Sequence, residues 1–147
     1  MARIMTKSKF SRTFKVLALG SFALVSSLQA EEEDTKMSIE MQTVSKQLKS
    51  LRKIAKDDFA AAAEAVHKAH VALLSAMQYT ASMVEEMPAG DEKAKALADS
   101  RRLLGLSYAA LCELEIAYLE KDPAKIEAAM TKVKGTKKEG HKKYTDD

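Results

Sequence analysis

Four successive stretches of this chain carry apolar residues at alternating steps of four and three. The first, about 35–55, has Met37, Met41, Val44, Leu48, Leu51 and Ala55. The second, about 58–87, has Phe59, Ala62, Val66, His70, Leu73, Met77, Ala81 and Val84. The third, about 91–121, has Leu97, Leu104, Leu111, Leu114 and Tyr118. The fourth, about 123–144, has Ile126, Met130, Val133, Lys137, His141 and Tyr144. Steps of four and three return a side chain to one face of a helix, so each stretch predicts an amphipathic helix with a single stripe. Stripes of this period pack at shallow crossing angles. The breaks are Asp57-Asp58, the turn Pro88-Ala89-Gly90-Asp91, and Asp122-Pro123, where a capping residue precedes proline at the first helical position. Connections this short force antiparallel neighbours, so the expected fold is all-α, an up-down-up-down four-helix bundle. Only 5 Gly and 2 Pro occur in 147 residues. All-β and α/β folds would need more turn residues and more β-branched and aromatic ones, so composition disfavours them.

The first thirty residues are a different object. Arg3, Lys7, Lys9, Arg12 and Lys15 precede an apolar run over residues 16–25, then Ser26-Ser27-Leu28-Gln29-Ala30 and an abrupt acidic start at Glu31. A basic start, a short apolar core and a small-residue end predict a secretory signal peptide over residues 1–30, cleaved to leave a domain of residues 31–147. The run is shorter than the ~20 residues a membrane span needs, so no stable membrane association is expected. Removing the segment takes five of the 24 basic residues, leaving 19 against 21 acidic ones and a net charge of −2. An acidic exported domain is a poor nucleic-acid binder. One cysteine, Cys112, excludes an internal disulfide and a cysteine-ligated zinc site, and it reads as a small buried hydrophobe. Export with so little cysteine points to a bacterial periplasm rather than a disulfide-rich secreted scaffold.

The stripe of the fourth stretch fails after Val133, where Lys134, Gly135, Thr136, Lys137, Lys138, Glu139 and Gly140 follow. Two glycines weaken a helix, and few large side chains remain to fill that end of a bundle. Either the terminus frays, or something else fills the space and holds the helix there. Met41 and His141 lie at that same end in an up-down-up-down topology, both on their stripes. A thioether facing an imidazole is the axial ligand set of a low-spin haem that carries single electrons. The competing reading is a core methionine and a solvated terminal histidine.

Two segments narrow this. Met41-Gln42-Thr43-Val44-Ser45-Lys46-Gln47-Leu48-Lys49 and Lys134-Gly135-Thr136-Lys137-Lys138-Glu139-Gly140-His141-Lys142-Lys143-Tyr144 resemble the ligand-bearing segments of the soluble cytochrome b-562 family. Those are periplasmic four-helix proteins with one non-covalent haem b. The resemblance implies Met41 and His141 as axial ligands and an electron-transfer role, with no enzymatic activity of its own. It implies Lys137 where the family has an arginine near the haem propionates, keeping the charge and losing the planar fork. Gly140 stands where the family has an aromatic residue. Absence of a C-x-x-C-H motif excludes covalent attachment. The expected partner is an unidentified redox protein, and the expected state is a monomer.

Other constellations read more plainly. Glu64-Ala-Val-His67 has the form of a di-iron ligand pair, but no second copy exists, and a solvated face is the better reading. His67 and His70 could grip a surface metal weakly, with a satisfied core histidine preferred at His70. Lys125, Lys132, Lys134, Lys137, Lys138, Lys142 and Lys143 read as a solvated face that could also steer an acidic partner. The rivals to electron transfer are haem storage and a haem-free exported protein that binds a protein partner. The latter would carry an exposed apolar stripe.

Overall fold

The computed structural model describes residues 35–145. The segment read as a signal peptide, residues 1–30, lies outside the described residues. What is described is all-helical, with five α-helices and one 3-10 turn and no strand: α1 Lys36–Ser50, the turn Leu51–Lys53, α2 Phe59–Ala76, α3 Ser82–Glu85, α4 Asp91–Leu119 and α5 Pro123–Tyr144.

Local chemistry sets most of the boundaries. Thr35 accepts from the Ser38 backbone N–H at 3.2 Å, and Asp58 Oδ1 accepts from that of Ala61 at 3.0 Å. Asp122 Oδ1 accepts from Ala124 and Lys125 at 3.0 and 3.1 Å, with Pro123 at the first helical position. Each carboxylate or hydroxyl satisfies N–H groups that have no partner inside the helix. Gly90, at φ +151° and ψ −174°, occupies a region open essentially to glycine alone and starts α4. Between α4 and α5, Lys121 sits at φ +57°. The Asp122 N–H bonds Ala117 O at 3.1 Å and the Lys121 N–H bonds Tyr118 O at 3.0 Å. That is a Schellman ending with lysine where glycine is usual.

Two expected boundaries are corrected. The first helix does not run to residue 55: it tightens into Leu51–Lys53 and stops where Ile54 turns extended. The second does not run to residue 87. Gln78 and Tyr79 make the shorter i→i−3 bonds to Ser75 and Ala76, Ala81 turns extended, and a separate α3 follows. Neither glycine nor proline marks the second break. It accompanies the burial of Val84, 1% exposed, on α3, which packs on α4.

Packing follows the chain order. α1 packs on α2, α2 on α4, and α4 on α5, whereas α1 and α5 do not pack closely. Ion pairs Lys125–Glu120, Lys132–Glu113 and Lys143–Asp99 rise along α5 as they descend along α4, so these two helices are antiparallel. The core joins Val44 of α1, Val66, Ala69, Ala72, Leu73 and Ala76 of α2, Ala110, Leu111 and Leu114 of α4, and Ala129 and Val133 of α5. The alanines of α2 let its neighbours approach closely, while the leucines of α4 fill the middle. No described helix is long and apolar enough to cross a membrane.

A left-handed conformation costs an ordinary L-residue roughly 1–2 kcal/mol, partly offset in glycine by its larger unfolded-state freedom. Lys121→Gly is therefore expected to raise stability by up to about 1 kcal/mol, and Lys121→Val to lower it, because branching at Cβ clashes most there. Urea midpoints of the two variants check this.

Candidate functional site

Because α1 and α5 stand apart, a cavity of about 550 Å³ opens between them, floored by α4 and closed at one side by residues 81–83. Cofactor sites fall in this size range and combine apolar walls with a few placed polar groups. Here the walls are Met37, Met41, Val44 and Leu48 from α1, Leu73 from α2, Leu103, Leu104 and Leu111 from α4, and Val133 from α5. The α5 side adds Lys137, Gly140, His141 and Tyr144. Met41, Lys137 and His141, singled out from the sequence, thus line one cavity.

Their burial differs from expectation in one respect. Met41 is half-buried, but His141 is exposed rather than set in the core. Its imidazole makes no hydrogen bond among the described residues, so both ring nitrogens are available to a ligand. Lys137 is exposed, and it too has no ion pair among the described residues, unlike Lys125, Lys132 and Lys143. A Cβ placed on Gly135 or Gly140 would meet nothing within 4 Å. The glycines therefore leave open space, in keeping with an end of the helix that lacks packing of its own.

That end is helical to Tyr144. Asp99 of α4 gathers it: Oδ2 accepts from Lys143 Nζ at 3.0 Å and from the Tyr144 hydroxyl at 2.8 Å. Its Oδ1 accepts from Arg102 Nε at 2.9 Å. Arg102 and Lys143 also meet Glu139 Oε1 at 3.2 and 3.1 Å. The Lys143 hydrogen bond first, then those of Tyr144 and Arg102, hold the Asp99 carboxyl well below the usual carboxylate range. Burial, aided by Asp99, pushes the Tyr144 phenol up. Sequence reading missed Asp99, because nothing in Ala98-Asp99-Ser100 reveals a partner more than forty residues away. The signal was in the fourth stretch, whose charges needed an opposite number.

A second cluster lies on the other side of Leu73 and Leu111. Glu115 of α4 faces two histidines of α2, with Oε1 3.2 Å from His67 Nδ1 and Oε2 2.7 Å from His70 Nε2. The preferred reading of His70 as a satisfied core histidine is half right: Nε2 is paired, while Nδ1 is buried without a partner. Glu64 pairs with Lys68 at 3.2 Å and takes no part, as expected of a solvated face. Cys112 is half-buried rather than fully buried, its thiol beside the Tyr108 hydroxyl. The exposed large apolar residues are Ile39 on α1, Val71 and Leu74 on α2, Tyr79 just beyond it, and Leu106, Ile116 and Leu119 on α4.

Compared with protein-family models, curated proteins and solved structures, the chain shows no match.

A carboxyl depressed in the folded state stabilises it above the unfolded value, about 3.9 for aspartate, and loses that contribution as pH falls toward the folded value. The expected outcome for Asp99→Asn is a lower thermal midpoint than wild type at about pH 7, with the gap closing as the pH is taken below about 4. Added salt should narrow it too, since the pairs are exposed. An equal gap at both pH values would show that Asp99 acts through packing rather than charge.

Proposed function

We propose that this chain is an exported, periplasmic electron-transfer protein that binds one non-covalent haem b in the cavity between α1 and α5, with Met41 and His141 as axial ligands. The four long helices are taken as an antiparallel up-down-up-down bundle of the cytochrome b-562 type, with α3 an elaboration of the connection between the second and third. The observation that carries the reading is the presence of Met41 and His141 on the walls of one mostly apolar cavity, contributed by two helices that do not pack on each other.

The residues present suit the group. Haem b, when bound, supplies one-electron iron chemistry that a protein of this composition lacks. Met41 offers a soft thioether, which favours the reduced metal, and His141 an imidazole whose nitrogens are uncommitted. Occupying both axial positions would leave none for dioxygen or substrate, which favours electron transfer over catalysis. Leu48, Leu104, Leu111 and Val133 would face the bound group with apolar surface and lower the dielectric around it. Lys137 places on the lining a cation with no ion pair among the described residues, suited to a propionate, as a point charge rather than a fork. Gly140 leaves the space of the family's aromatic residue open, removing a contact and weakening haem retention. Lys134, Lys138 and Lys142, exposed on the same helix, likewise lack ion pairs among the described residues and would steer an acidic redox partner.

The test is an absorption spectrum of the protein purified from the periplasm, oxidised and then reduced with dithionite, before and after titration with haemin. Sharp α and β bands on reduction are expected, and either Met41→Ala or His141→Ala should abolish them. Met37→Ala and Met83→Ala, which alter two other methionines of the same lining, should keep them. A colourless protein that takes up no added haem would overturn the reading.

A further inference from the structure

We propose that His67, His70 and Glu115 form a second, independent site, for a divalent transition-metal ion of the zinc class. His67 and His70 are one helical turn apart on α2, and Glu115 reaches them from α4. One ligand atom from each side chain lies within 4.8 Å of the others. Tetrahedral coordination with bonds of 2.0–2.2 Å requires ligand atoms about 3.3 Å apart. The 3.2 and 2.7 Å contacts are hydrogen bonds to the two different oxygens of the Glu115 carboxylate, so an ion would take their place between the three side chains. Small side-chain rotations on two packed helices would complete it.

The electrostatics point the same way. Glu115 is only 22% exposed, yet its carboxylate has no Lys or Arg partner among the described residues. Its partners are two imidazoles, which are neutral donors unless protonated. A divalent cation would supply the missing charge. His67, with 49% of its side chain exposed, provides the way in, while His70, at 12%, and its edge-on contact with Tyr108 at 5.6 Å fix the inner ligand.

Two imidazoles and a carboxylate are a borderline donor set that suits zinc and copper better than calcium or magnesium, which favour all-oxygen sites. Three protein ligands leave a fourth position for water. Binding through His67 Nδ1 and His70 Nε2 moves each ring's proton to its other nitrogen. For His70 that nitrogen is the buried Nδ1, which lacks the acceptor that usually orients a ligating histidine. Affinity therefore rests on the three donors alone.

The experiment is a calorimetric titration of the full, haem-free chain with zinc chloride. One equivalent should bind, and His67→Ala and Glu115→Gln should each weaken binding by more than the roughly 10–100-fold that loss of an outer-sphere partner costs. Met41→Ala and His141→Ala should bind zinc as the unmodified chain does. His67 is exposed and Glu115→Gln conserves shape, so both variants should fold, as circular dichroism will verify. No binding, or binding unaffected by both substitutions, overturns the proposal and leaves the cluster an ion pair.

Discussion

The C-terminal half of α5 has too little apolar surface to hold itself against the rest of the protein, and Asp99 is what holds it. From Lys134 onward the helix buries almost nothing and carries two glycines. A helix of that composition is marginal in water, since most helical stability in proteins comes from packing an apolar face. Here the last turns are tied to α4 by Asp99, which accepts from Lys143 and Tyr144, and by Arg102, which holds Asp99 and also reaches Glu139. An isolated exposed ion pair contributes little, but several charges converging on one group form a network, where the contribution is larger. The tie does not draw the helix inward along its whole length. It fixes the helix end while leaving the cavity beside Val133 and Gly140 open. Lys137, Gly140 and His141, α5 groups of the cavity beyond the core residue Val133, depend on that placement.

How much of this was legible follows from what kind of force set each feature. Elements with a local cause were readable: the caps at Asp58 and Asp122, the turn at Gly90, and the long apolar periodicity of α4. The end of α2 was not, because Met77, Ala81 and Val84 continue the helical pattern and the chain breaks for a tertiary reason, the burial of Val84. Met41 and His141 were legible as a pair because topology alone places the start of the first long helix and the end of the last at one end. The side-chain environment was less so: His141 was expected in the core and is exposed, since at the end of a helix a stripe position need not have anything packed over it.

The Glu115 cluster shows the same limit from the other side. His67 and His70 were visible as an i, i+3 pair, and the pair alone argued for nothing more than a weak surface site. What changes its meaning is a carboxylate forty-five residues from His70 on another helix, and no periodicity announces such a partner. Asp99 is the equivalent case for α5. In both, a charged residue of α4 whose own sequence surroundings are ordinary becomes decisive through what packs against it.

The two proposed sites are neighbours whose donor chemistry keeps them apart. Leu73 and Leu111 line the cavity, and His70 and Glu115 lie one turn beyond them along α2 and α4 respectively. A thioether and an imidazole in an apolar cavity offer a hydrated divalent ion no anionic ligand, so such an ion would give up its water shell for little return. The Glu115 cluster has the anionic oxygen and lies between two packed helices, α2 and α4, apart from the residues that line the cavity. On the two proposals together, a thioether with volume on one side of the leucines and a borderline imidazole–carboxylate set on the other would let one small helical protein discriminate between two kinds of metal centre.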